Sequence, residues 1–183
     1  MPIVPSSYRA PFGFGNGHIQ TIYAHFRQVR GVSYKRERIQ TPDGDFLDLD
    51  WSAKGARRLA ILSHGLEGST ERHYVLGMIR ALNRRGWDAL AWNYRGCSGE
   101  PNRLLRWYHS GDTGDLRAVI EHAAGHNYEE IAIIGFSLGG NVTLKYLGER
   151  AGSTHPLVKK GVAFSVPCDL TPSSDQPRRR CST

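Results

Sequence analysis

Ile131-Ala132-Ile133-Ile134-Gly135-Phe136-Ser137-Leu138-Gly139-Gly140 passes from a short apolar run into a Gly-x-Ser-x-Gly turn. It continues as Asn141-Val142-Thr143-Leu144-Lys145-Tyr146-Leu147, which has no proline and reads as a helix. The β-branched run suits a parallel strand buried on both faces. Strand, tight turn with glycine on both sides of a serine, and helix together form a nucleophile elbow. The glycines leave room for a turn that lifts the Ser137 hydroxyl clear of the sheet, and the helix N-terminus behind it favours developing negative charge. In a chain with 21 glycines the five-residue pattern alone is weak, so the flanking strand and helix carry the reading.

A serine hydroxyl is a poor nucleophile at neutral pH and needs a base, as a rule a histidine oriented by a carboxylate. In this architecture the chain order is serine, acid, histidine. After Ser137 the only histidine is His155, which precedes the candidate acids Asp169 and Asp175. The nucleophile is present and its acid and histidine partners are not identifiable.

The length, 183 residues with 39% apolar and 22% charged, suits one globular domain with a sizeable core. The formal charge of +7 is spread along the chain except at Arg178-Arg179-Arg180, and no nucleic-acid motif accompanies it, so no nucleic-acid partner is expected. Three cysteines, Cys97, Cys168 and Cys181, have no metal-ligand spacing, and their odd number argues against a disulfide framework. Met1 to Ser7 lacks the apolar core of a signal peptide, and no stretch approaches the length of a membrane span. A cytoplasmic location is expected, with peripheral membrane contact left open.

Residues 1–35, rich in proline, glycine and aromatics, read as an N-terminal arm lying on a domain. Gly13-Phe14-Gly15-Asn16-Gly17-His18 follows no clear strand and lacks a third glycine at the spacing of a dinucleotide loop, so no such cofactor is expected. Beyond it the pattern predicts strands at Lys35 to Gln40 and Phe46 to Trp51 around Thr41-Pro42-Asp43-Gly44, a hairpin signal. A buried strand at Leu59 to Leu62 leads into Ser63-His64-Gly65-Leu66-Glu67-Gly68. A helix over 71–85, a strand from Trp87 to Asn93, a long loop over 94–112 and a helix from Thr113 to Ala124 follow. After the elbow come a helix to about Arg150 and a strand from Gly161 to Val166. Alternating strands and helices predict an α/β class, with a mostly parallel sheet and helices on both faces. His122 and His126 stand four apart, a spacing that can bind zinc, but no third ligand accompanies them in sequence. They read as exposed helix histidines, and no metal is expected.

Several stretches together resemble the YheT-like branch of the α/β-hydrolases, relatives of the animal abhydrolase-domain lipid esterases. They are Asn16 to Thr21, Asp43 to Leu47, His64-Gly65-Leu66-Glu67-Gly68, Asn93 to Glu100, Tyr108-His109-Ser110-Gly111 and Gly135 to Asn141. The resemblance covers nearly all of residues 8 to 170. It implies Ser137 as catalytic nucleophile and the backbone N–H groups of Leu66 and Leu138 as the oxyanion hole. It also implies a carboxylesterase-type serine hydrolase acting on short-chain acyl or lipid esters through an acyl-serine intermediate. Family members continue past the strand at Gly161 with elements that supply the acid and histidine. On this reading 36–170 is a partial α/β-hydrolase domain missing its C-terminal strands, and 171–183 is a disordered tail with no apolar periodicity. The alternative is a catalytically inactive hydrolase-fold fragment or interaction module. The strand at 161–166 would then be an unpaired edge through which copies associate. His64 reads as a shaper of its loop, while Arg95, Cys97 and Tyr108 either support the pocket or simply pack.

Overall fold

The structure, a computed structural model, describes residues 7–26, 28–149 and 152–169. Residues 171–183, expected to be disordered, lie outside the described residues. The described elements are α1 (Gly17–Phe26), β1 (Lys35–Gln40), β2 (Phe46–Ser52), β3 (Arg58–Ser63), α2 (His73–Asn83), β4 (Asp88–Trp92), α3 (Gly114–Ala124), β5 (Glu130–Phe136), α4 (Leu138–Glu149) and β6 (Val158–Phe164).

The strands form one sheet in the order β1-β2-β4-β3-β5-β6. β3, β4, β5 and β6 run parallel, and the β1–β2 hairpin is antiparallel to them through β2. The central strands are apolar throughout because both faces are covered. Leu59, Ile61, Leu90, Trp92, Ile131 and Ile133 point to one face and meet Leu116, Val119 and Ile120 of α3 and Val142 of α4. Their neighbours Ala60, Leu62, Ala89, Ala91 and Ile134 point to the other and meet Val75 and Ile79 of α2. Each fully buried Leu or Ile contributes roughly 1.5–3 kcal/mol, so these two layers are the main drive for the sheet to form.

β2 is buried along its whole length, acids included. Arg36 and Arg38 stand directly opposite Asp50 and Asp48 in the β1–β2 register and grip them with paired hydrogen bonds of 2.7 and 2.8 Å. Asp50 also accepts from the Thr70 hydroxyl at 2.6 Å and from Asn93 at 3.1 Å. Arg95, 2% exposed, forms a fork with Asp115 at 2.7 and 2.8 Å and also reaches Asp43 and Asp45. Asp45 accepts from the amides of Phe46, Arg103 and Leu104 and from Asn102, which ties the 94–112 loop to the hairpin turn. A buried carboxylate is tolerated here because charge-assisted donors surround it.

Two elements differ from the sequence expectation. The arm contains α1, whose turn is hidden among the glycines and aromatics that precede it. β6 begins at Val158, three residues before the expected Gly161, and ends at Phe164 before Ser165 turns to φ +52°. Lys159 and Lys160 mask the start of that strand, although lysine is common on strands at a sheet edge. No helix among the described residues is long and apolar enough to cross a membrane.

Burial pushes the Asp43, Asp45 and Asp48 carboxyls upward, but their hydrogen bonds outweigh it, and all three lie below the ordinary range. Lowered folded-state values mean that folding favours the ionised form, so this contribution is complete above about pH 4 and is lost as pH falls below it. Urea midpoints measured down an acid series should fall steeply there; a flat profile to about pH 2 would contradict the network.

Candidate active site

Ser137 sits between β5 and α4, exposed, with φ +51°. A non-glycine residue in this region is strained and persists only where its surroundings enforce it. The enforcing contacts are backbone to backbone. A methyl group on Gly135 would run into the Gly139 carbonyl, and one on Gly139 into the Ser63 carbonyl at the end of β3. A Cβ built on Gly65 would stand 3.4 Å from the Ser137 Cβ, so the loop after β3 abuts the elbow. The Ser137 N–H donates to the Phe164 carbonyl at 2.8 Å, and the Ser137 carbonyl accepts from Gly140 and Asn141 as α4 begins.

The structure therefore brings Ser137, Leu138 and the loop carrying Leu66 to one end of the sheet. Leu138 is the first residue of α4, and the N–H of an opening residue has no acceptor within its helix. Leu66 is 65% exposed and is flanked by two tethered amides: Gly65 donates to the Tyr74 hydroxyl and Glu67 to the Tyr108 hydroxyl, each at 3.0 Å. Glu67 takes φ +51°. Tyr74 was not among the sequence candidates; an aromatic on α2 carries no signal of a partner in a separate loop. Tyr108 stacks on Tyr94 at 4.7 Å, so it packs and holds the loop at once.

His64 is 1% exposed, and both ring nitrogens are engaged. Nδ1 lies 2.7 Å from the Gly65 carbonyl, and Nε2 lies 3.3 Å from the Tyr94 N–H, which assigns a neutral ring donating from Nδ1. Desolvation pushes its pKa down to about 4, with the Arg72 charge adding to the effect against the Gly65 contact. His64 thus shapes the loop. Arg95 is consumed by its carboxylates, and Cys97 packs against the core. His155 accepts from the Leu157 N–H just before β6, at the end of the sheet opposite the elbow, because β6 runs parallel to β5. Asp169 is exposed beyond β6. Among the described residues no histidine is hydrogen-bonded to Ser137.

A separate cluster corrects the picture of two exposed helix histidines. Glu37 of β1 reaches His122 and His126, with one ligand-type atom of each within 4.8 Å of the others. His122 is half-buried, and its Nε2 stands 3.1 Å from Glu37 Oε2.

A mostly parallel sheet flanked by helices, with a strained serine between a strand and a helix, defines the α/β-hydrolase class. The chain belongs to that family: the family model described as "Serine aminopeptidase, S33" matches residues 54–176. That match runs past Leu170, where the motif resemblance ends. Escherichia coli (strain K12) YheT, whose name marks it provisionally as an esterase, is 41% identical over 165 residues, covering 85% of this chain and 47% of that protein. Human "Phospholipase ABHD3" is 31% identical over 176 residues, covering 90% of this chain and 42% of its own length. The Pyrococcus furiosus esterase Pf2001 superposes with a TM-score of 0.67 at 26% identity, covering 80% of this chain and 56% of that one. The chain thus spans under half the length of those two sequence relatives.

Gly139→Ala should destabilise the fold by roughly 1–3 kcal/mol through overpacking. Gly148→Ala, in open space on α4, should be neutral or stabilising by up to about 1 kcal/mol. Urea unfolding of both variants checks the contrast; equal effects would mean that the close approach is not a constraint.

Proposed function

We propose that this chain carries the nucleophilic half of a carboxylic ester hydrolase acting on short-chain acyl or lipid esters. The carrying observation is Ser137 held exposed at φ +51° against the N-terminus of α4. In this reading Ser137 Oγ attacks the ester carbonyl, and the oxyanion is received by the N–H groups of Leu66 and Leu138. The C–O bond to the alcohol breaks and the alcohol leaves with the proton given up by the Ser137 hydroxyl; water then cleaves acyl-Ser137, its OH going to the acid and its proton restoring the hydroxyl. One such donor is typically worth roughly 100- to 1000-fold in rate. The ester class is supported by the esterase and phospholipase names of the relatives. A fluorophosphonate probe should label Ser137 and fail on Ser137→Ala; equal labelling of the two proteins would end the proposal.

The second reading is that the chain, taken by itself, is a hydrolase fold with little or no turnover. It is favoured by His64 being sequestered in its loop and by His155 lying at the far end of the sheet. Residual catalysis from an oxyanion hole survives loss of a triad member, so labelling with slow turnover fits both the nucleophile assignment and an impaired enzyme. Turnover equal to that of a full-length relative would reject impairment.

β6 leaves Val162 and Phe164 at 42% and 40% exposure beside a row of backbone groups. For the chain by itself we take this edge as the surface through which copies pair. Sedimentation over a concentration series should show association, and a monomer throughout would count against it.

A further inference from the structure

We propose that Glu37, His122 and His126 bind a divalent cation of the zinc class, clipping β1 to the C-terminal end of α3. The three groups come from separate parts of the chain, and only the fold joins them. His122 lies in the last turn of α3 and His126 two residues beyond its end, and β1 lays Glu37 across them. The donor set is two imidazoles and one carboxylate, which suits zinc, cobalt or nickel; calcium and magnesium take oxygen donors.

The geometry is close to a binding arrangement. Metal–ligand bonds of about 2.0–2.1 Å in a tetrahedron separate ligand atoms by roughly 3.3 Å. The observed spread, within 4.8 Å, is wider than this, and binding requires the exposed His126 side chain to shift toward Glu37 and His122. Supporting contacts of the kind that orient metal ligands are already in place. The Trp51 indole N–H donates to Glu37 Oε2 at 2.7 Å, and His126 Nδ1 lies 3.3 Å from the His122 carbonyl, leaving Nε2 for the metal. His122 Nε2 is buried and, despite its 3.1 Å approach to Glu37, makes no well-aligned hydrogen bond. An open groove of about 550 Å³, lined in part by Tyr34, Glu37, Trp51, His126 and Tyr128, gives a water or a further ligand access to a fourth position.

His126 precedes β5 and Ser137 follows it, so the strand separates cluster and elbow by roughly 20 Å at 3.3 Å per residue. The site is therefore structural with respect to the serine chemistry. Its benefit is mechanical: it anchors the outermost strand of the hairpin to the helix that covers the same face of the sheet.

The test is titration of the metal-free 183-residue chain with Co(II), followed by visible absorption, and with Zn(II), followed by thermal unfolding. One equivalent of Co(II) should give tetrahedral d–d bands, and Zn(II) should raise Tm. Losing a ligand should weaken binding by at least the order of 10- to 100-fold that supporting contacts alone are worth. Glu37→Gln and His122→Gln should show this loss, as should His126→Asn, whose exposed side chain makes it the safeguard against misfolding of the first two. His155→Asn should bind normally. Absence of the Co(II) bands in the parent chain, or undiminished affinity in folded His126→Asn together with either other variant, would overturn the site.

Discussion

The structure depends on one steric constraint: the ends of β3 and β5 and the start of α4 approach closely enough that side chains at Gly135 and Gly139 have no room. That approach leaves the chain a sharp turn as its way out of β5, and the turn puts Ser137 at φ +51°. The hydroxyl is thereby raised beside the first amides of α4 and beside the loop after β3. A serine with a relaxed backbone would be an ordinary loop residue. The strain is offset by the surrounding packing, where Leu59, Ile61, Ile131 and Ile133 are fully buried.

A second layer of order reaches the elbow from the hairpin. Arg95 joins Asp43 and Asp45 in the turn to Asp115 at the start of α3, and Asp45 holds the backbone of the 94–112 loop. Tyr108, from the same loop, holds the Glu67 amide, and Glu67 follows Leu66. A polar network that has no part in ester chemistry thus fixes the loop proposed to donate to the oxyanion. Breaking a buried pair by removing one partner costs about 3–5 kcal/mol, so the network contributes to loop placement and to stability together.

Much of this was legible in the sequence. The strands at Leu59 and Ile131 announce themselves by apolar runs, those at Lys35 and Phe46 by the Pro-Asp-Gly turn between them, and the elbow by its glycines. Reading the alternation of Leu47, Leu49 and Trp51 with acids required more than periodicity, since those acids are buried and matched by Arg36 and Arg38 across the hairpin. α1 and the start of β6 were hidden, the first by glycines and aromatics, the second by Lys159 and Lys160. Glu37 could not be linked to His122 and His126 from spacing, because the three residues are neighbours only after β1 pairs with β2 and α3 packs on the sheet. Tyr74 was likewise invisible as a loop anchor, and Tyr108, expected to support the pocket or to pack, gave no sign of what it holds, since the partners of both are backbone amides and carry no side-chain signature.

The close approach of Gly139 to β3 is, on our proposal, what presents Ser137 as a nucleophile. The most direct measurement is the second-order rate of fluorophosphonate labelling of Gly139→Ala against the parent chain, at a temperature where circular dichroism shows both folded. The rate for Gly139→Ala should be lower by on the order of 100-fold, the scale set by a displacement of about 1 Å at a reacting atom. Labelling at the parent rate in the folded variant would contradict it.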